Sequence, residues 1–238
     1  MDDAGYVSLT RQSGLLSELR ALAQNVANAS TVGYRREGLV FSEYVKTGGQ
    51  ESISMARAGA RFIDQSQGAL KRTGAPFDLA IEGDGFFRIE TDDGERLSRA
   101  GNFSLNAEGE IVTSEGQRVL SADGAPIAIP PDAGAIAIAS DGEISANGEV
   151  LGRIGVSTAD SKEMRREGNN LFSATKGAEP ADEFRVAQGF LEQSNVNTVS
   201  EIARLIEVQR AYELGKGLMD REHNRLTAMI QRLGRSDR

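Results

Sequence analysis

Thr198-Val199-Ser200-Glu201-Ile202-Ala203-Arg204-Leu205-Ile206-Glu207-Val208-Gln209-Arg210-Ala211-Tyr212 opens a run that reaches Leu233 without a proline. Leu205, Val208, Tyr212, Gly215, Met219, Leu226, Met229 and Leu233 recur there at steps of three and four, with only Glu222 out of place. A period of 3.5 residues keeps one narrow apolar stripe turned toward one partner helix, which is how a coiled coil is specified. Thr198 with Glu201 three residues on reads as a capping box at the start. Glu201/Arg204, Glu207/Arg210, Glu213/Lys216 and Glu222/Arg225 put acid before base on the outer face, a spacing that supports a solvated helix. Residues 202–233 as one helix would run roughly 50 Å. A rod of that length needs a second helix along it.

The other end of the chain supplies a candidate. Leu15, Leu19, Leu22 and Val26 step by four, three and four, Leu16 and Ala23 widen the stripe, and Asn28, Ser30, Thr31 and Gly33 follow as a stop signal. Two stripes at opposite ends allow either an antiparallel pair inside one monomer or apolar edges kept for other molecules. Between them, residues 34–76 show scattered apolar positions (Leu39, Val40, Phe41, Tyr44, Val45, Phe62, Ile63) and no lasting period. A connection of that length without structure of its own is unusual in a compact domain, and it reads as an extended segment that orders against something else or as a flexible linker.

From Phe77 the pattern changes. Asp78 to Ile81, Phe86 to Glu90, Asn102 to Leu105, Ile111 to Thr113, Arg118 to Leu120, Ile127 to Ile129, Ile136 to Ala139 and Arg153 to Val156 have the length and alternation of strands. Asp93-Gly94, Glu108-Gly109, Glu115-Gly116, Asp123-Gly124, Asp141-Gly142 and Asn147-Gly148 are hairpin corners, since glycine accepts the positive φ that the twist requires. Ser157 to Gln188 is richer in charge and reads as an irregular tail anchored by Leu171-Phe172. The expected fold is α+β: long N- and C-terminal helices pairing as a coiled coil, with a central, mostly antiparallel β-domain. Its parts are an N-terminal assembly helix (1–33), an extended connecting segment (34–76), a β-rich domain with an irregular tail (77–190) and a C-terminal assembly helix (191–238).

Composition narrows the function. A net charge of −8 lacks the basic stripe of a nucleic-acid binder. No apolar run approaches a membrane span, and the acidic opening Met1-Asp2-Asp3 lacks a signal-peptide plan, which by sequence rules alone means the cytoplasm. Zero cysteines exclude disulfides and cysteine-bound metal. His223 stands among charges with no second ligand type nearby. Gly83-Asp84-Gly85 starts like a dinucleotide fingerprint, but position 88 is Arg and strands follow. The acid-glycine corners offer too few oxygens each for calcium. No catalytic residue, cofactor, metal site or small-molecule substrate is expected.

One set of motifs resembles the bacterial flagellar rod and hook proteins. It comprises Asn25-Val26-Ala27-Asn28, Thr31-Val32-Gly33-Tyr34, Ser66-Gln67-Gly68-Ala69-Leu70, Thr73-Gly74, Asp78-Leu79-Ala80-Ile81 and Gly85-Phe86-Phe87. Arg99-Ala100-Gly101-Asn102-Phe103, Gly109 with Val112-Thr113, Ser194-Asn195-Val196-Asn197 and Gln209-Arg210-Ala211-Tyr212-Glu213 continue it in the same order along the chain. The short 34–66 segment is most similar to the proximal-rod members. Gln24, Leu97-Ser98 and Thr198 depart from the pattern.

The resemblance implies a structural subunit, not an enzyme, exported without a cleaved signal through the flagellar type III apparatus. Such subunits polymerise with their own copies and with other rod proteins into a helical tube across the periplasm. Leu15, Leu19, Leu22, Val26, Leu205, Val208, Tyr212, Met219, Leu226 and Met229 would form the assembly seam. Distal-rod or hook subunits of the same family are the alternative within it. Outside it stand a secreted, sugar-binding β-module with helical oligomerisation arms and a carboxylate hydrolase, each of which lacks the aromatic platform or cleft it would need.

Overall fold

A computed structural model describes the backbone of residues 2–47 and 52–233, and within these the side chains of 8–40, 61–225, 227–229 and 231. Helix α1 (Asp2–Ala27) leads into two long strands, β1 (Glu37–Thr47) and β2 (Ser52–Ile63), which pair as a two-stranded sheet. Then come β3 (Leu70–Arg72), β4 (Leu79–Gly83), β5 (Phe86–Thr91) and β6 (Gly94–Ser98), the short β7 (Ser104–Leu105), β8 (Ile111–Val112) and β9 (Arg118–Val119), and β10 (Ile136–Ile138), β11 (Glu143–Ala146) and β12 (Glu149–Arg153). The chain finishes with β13 (Val156–Thr158), β14 (Met164–Arg166), β15 (Leu171–Ala174), β16 (Glu179–Pro180), β17 (Phe184–Gln188), β18 (Phe190–Glu192) and helix α2 (Thr198–Leu233).

Two units emerge. One holds the described parts of Met1–Val26, Glu37–Arg61 and Thr198–Arg238; the other is formed by Ala27–Arg36 and Phe62–Asn197. The second unit is built on a nine-stranded sheet in the order β14-β15-β6-β5-β9-β8-β7, with β13 beside β5 and β16 beside β13. The three-stranded sheet β10-β11-β12 and the pairs β17-β4 and β18-β3 complete it, and their described registers are all antiparallel. Glycines 94, 109, 116, 124, 142 and 148 all sit at positive φ, as the corners read from sequence require. The start of β5 is covered on both faces, as its adjacent Phe86 and Phe87 require, while Arg88, Glu90 and Thr91 farther along are half-buried. Phe87 and Ile89 enter a core with Leu79, Ile81, Ile144 and Ile154, whereas Phe86 joins a smaller cluster with Ile63, Leu97, Met164 and Phe172. Phe87 meets Phe103 edge-on at 5.1 Å, and Phe86 meets Phe172 at 5.7 Å.

Three sequence expectations are corrected. First, the terminal helices do not form a coiled coil. They meet in antiparallel sense at Asn25/Glu201 (3.0 Å), Glu18/Arg204 (2.8 Å) and Gln12/Tyr212, where the Gln12 amide donates to the Tyr212 carbonyl at 3.1 Å. These contacts are polar, and Gln12, Asn25 and Glu201 are buried while, among the described side chains of the two helices, apolar burial is confined to Ala21, Leu22 and Val208. A heptad seam needs apolar side chains at successive core positions. Here Gln12 occupies the notch at Gly215, where a Cβ would lie 2.0 Å from its Nε2. Helix α2 also has 36 residues against 26 in α1, and Met229 remains 49% exposed. Second, the connecting segment is a strand pair, because long strands whose side chains fail to alternate simply still satisfy their backbones by pairing. Third, the tail carries β13 to β17, with Phe172 fully buried, since cross-strand partners distant in sequence supply what its own pattern lacks.

Candidate functional site

The residues that carry the resemblance converge on two polar junctions, one in each unit. In the helical unit the hub is Asn25, which is fully buried. Its Oδ1 accepts the Glu37 amide at 2.9 Å, and its Nδ2 donates to the Glu37 carbonyl at 2.9 Å and to Glu201 Oε2 at 3.0 Å. A carboxamide can offer one acceptor and two donors, and here it mimics a strand partner for β1 while also holding the first turn of α2. The last turn of α1, the start of β1 and the start of α2 are thereby laced to one side chain.

In the β unit, residues 33–36, 63–72 and 190–196 run together. The Gly33 amide donates to the Glu192 carbonyl at 2.7 Å, the Asp64 amide to the Arg36 carbonyl at 2.8 Å, and the Gln193 amide to the Ala69 carbonyl at 2.8 Å. Asn195 repeats the role of Asn25: its Oδ1 accepts the Arg36 amide at 2.6 Å and its Nδ2 donates to the carbonyls of Asp64 (3.0 Å) and Ser66 (2.9 Å). The approach leaves no room for side chains. A Cβ on Gly33, which has φ +65, would lie 2.3 Å from the Ala100 amide, and one on Gly68 would lie 1.9 Å from the Gln193 carbonyl.

Glu192 sits at the centre, 1% exposed. Its Oε1 takes the Arg35 guanidinium at 2.9 Å and the Gly68 amide at 2.8 Å, and its Oε2 takes Arg99 at 3.1 Å. Arg35 also donates to the Ser66 carbonyl, and Arg99 to the carbonyls of Ile81 (2.8 Å) and Gly83. Burial lowers both guanidinium pKa values, Arg99 to about 10, while Glu192 works in the opposite direction; both remain cations at neutral pH. A buried ion cluster adds little net stability over apolar packing, but removing one member costs about 3–5 kcal/mol because the remaining charges are stranded. What it fixes is which segments lie together. Beside it Arg166 stacks over Tyr34 at 4.2 Å and over Phe172 at 4.8 Å, and donates to the Arg35 carbonyl.

The residues singled out from sequence are distributed as follows. Leu22 and Val208 are buried, and Leu15, Leu19, Val26, Leu205, Tyr212 and Met219 are half-buried. Leu226 has its side chain outside the described residues. Asn28 accepts the Thr31 hydroxyl at 3.2 Å in the turn after α1. Gly85 holds φ +130 at the β4–β5 corner, and Phe86 and Phe87 divide between the two clusters described above. Ser194 caps the Val196 amide at 3.2 Å, Gln209 bonds Glu213 at 3.0 Å on the surface, and Arg210 is exposed. His223 is exposed on α2. Glu222/Arg225 pair as expected at 2.6 Å, whereas Arg204 divides between Glu207 and Glu18. The ion cluster was not foreseen. Its signal was a lone glutamate following Phe190-Leu191 and the arginine that opens the Arg99 to Phe103 motif, charges set directly beside strand residues.

Comparison with known proteins follows the same outline. Residues 80–146 match the family model of the flagellar hook protein FlgE/F/G D1 domain, and residues 187–231 match that of the flagellar basal body rod FlgEFG protein C-terminal region. The chain is 41% identical to the flagellar basal-body rod protein FlgF of Mesorhizobium japonicum, with 98% of this chain and 99% of the relative aligned. It is 38% identical to FlgF of Rhizobium meliloti over 97% of this chain and 98% of the relative. With FlgG of Bacillus subtilis it shares 34% over 87% of this chain and 90% of the relative. Both junctions and the strands between them thus lie within an alignment that runs nearly end to end, and the chain belongs to the family of flagellar basal-body rod proteins.

Proposed function

We propose that this chain is a structural subunit of the bacterial flagellar basal-body rod, of the proximal FlgF type, that works by polymerising and not by turning over a substrate. The observation that carries this reading is the near-complete alignment with FlgF proteins at 41% and 38% identity, against 34% with a FlgG protein. The structure supplies a physical counterpart. Leu214 and Leu218 on α2 are 70% and 61% exposed, and Leu9 on α1 is 60% exposed, so the helices keep apolar surface that the monomer does not use. Contiguous exposed apolar surface marks interaction sites. A head-to-tail contact that does not close on itself generates a helical tube, and torque passes along such a tube through contacts shared by many subunits.

In this reading Leu15, Leu19, Leu22, Val26, Leu205, Val208, Tyr212, Met219, Leu226 and Met229 belong to the assembly surface, and neighbours are copies of the chain and other rod proteins. Export through the flagellar type III apparatus without a cleaved signal takes it to the periplasmic rod. Deleting the gene and imaging basal bodies by electron microscopy tests the proposal. Missing or truncated rods, restored by the wild-type gene, are expected; complete rods and normal swimming in the deletion strain would reject it.

A further inference from the structure

The ion cluster is assembled from parts of the chain that are remote from one another. Arg35 and Glu192 are separated by almost the whole β unit, Arg99 lies 93 positions before Glu192, and Gly68, whose amide meets the same carboxylate, lies 124 before it. The carboxylate is also the one anion whose oxygens receive both guanidinium groups in the described hydrogen bonds. Arg35 Nε and Nη2 and Arg99 Nε are buried with no hydrogen-bond partner among the described residues, and the charges of Asp64 and Asp84 support these guanidiniums less than Glu192 does.

We propose that Glu192 is a completion latch: its arrival fixes residues 33–36, 63–72 and 190–196 in one step, and a chain that lacks it leaves the segments next to both assembly helices unfixed. This rests on the assembly reading above and extends it. Whatever the order in which the chain folds, Arg35, Gly68 and Arg99 meet a shared carboxylate only when residue 192 joins them. Until then two guanidiniums cannot be buried, because an unpaired buried charge is too costly. The ion contact that closes the unit therefore comes from β18, the last strand before the C-terminal helix, and a chain ending short of it cannot imitate a finished subunit.

The test is amide hydrogen exchange on the full-length protein with Glu192→Gln, which keeps the shape but sets a donor against the Arg99 guanidinium. Protection at Gly33, Asp64, Gly68 and Gln193 is expected to fall together by roughly 100-fold, and by more than at the β5 amides. A loss confined to residues near 192, or no loss, would overturn the latch. If that variant does not fold, Arg99→Lys decides, since a lysine cannot span Glu192 and the Ile81 and Gly83 carbonyls at once; a joint loss of about tenfold at the same amides supports the latch, and a loss restricted to residue 99 overturns it. Complementation separates the two readings. A deletion strain that wild-type protein fails to restore would reject the rod assignment, whereas full motility with Glu192→Gln would reject the latch and leave the rod assignment standing.

Discussion

The β unit and the helical unit use their apolar residues in opposite ways. Leu79, Ile81, Phe87 and Ile89 are completely buried, and the strands carrying them are covered on the faces that matter to the core. On α2, Val199, Ile202, Ile206, Leu214 and Leu218 are between 43% and 80% exposed. One unit has spent its hydrophobic surface on its own folding; the other leaves much of it exposed in the monomer. The contrast also explains why the two helices meet through Gln12, Glu18 and Asn25. These contacts put the polar side chains of Gln12, Asn25 and Glu201 into the buried positions between the helices, so the helices are aligned while Leu214 and Leu218 stay exposed.

The comparison is broken most severely at the core. Phe87→Ala removes a fully buried ring that packs on Phe103, and the expected loss is about 3–5 kcal/mol of unfolding free energy. Denaturant unfolding of the purified protein measures it. A change below about 1 kcal/mol would mean that the β unit is not the self-sufficient part of the chain.

How far this division was legible in the sequence depends on range. Most strands and the corners are readable because alternation and acid-glycine pairs act within a few residues, as at Asp93-Gly94 and Asn147-Gly148, although Ile127 to Ile129 forms no strand and Arg153 to Val156 spans the break between β12 and β13. Both helices were readable from period alone. Their mode of contact was not, since a stripe of Leu15, Leu19 and Leu22 says nothing about Gln12 filling the notch at Gly215, some two hundred residues away. The strands of 157–188 were missed for a related reason: β15 owes its place to pairing with β6, and β17 to pairing with β4. Family resemblance pointed to Asn25, Gly33, Tyr34 and Asn195 without saying why these residue types stand there. The structure gives the reason, in that two carboxamides and one glycine serve backbones that come close only after folding.

A smaller effect sharpens the boundary of the helical unit. Asn25→Asp is isosteric, but it replaces the amide nitrogen that donates to the Glu37 carbonyl and the Glu201 carboxylate with a carboxylate oxygen facing both. About 1–3 kcal/mol is expected to be lost for the stranded acceptors. Exchange of the amides in the last turns of α1 and the first turns of α2 should accelerate while those of β5 do not. Equal acceleration in β5 would show that the two units unfold as one.

The smallest effect on folding should accompany one of the largest on function. Leu214→Asp with Leu218→Asp alters side chains that are 70% and 61% exposed, so the monomer's stability should move by no more than about 0.5 kcal/mol. In an assembled rod the same positions would place carboxylates in a packed apolar contact, which costs several times that amount per subunit unless each is paired. The double variant should therefore be exported and folded, melt at the wild-type temperature, and fail to restore swimming to a strain lacking the gene. Soft-agar motility read beside a thermal melt checks both halves. Normal swimming would assign this face of α2 to solvent and confine assembly to the half-buried positions around Leu205 and Tyr212, whereas a lowered melting point would mean the helix needs its outer leucines before any neighbour arrives.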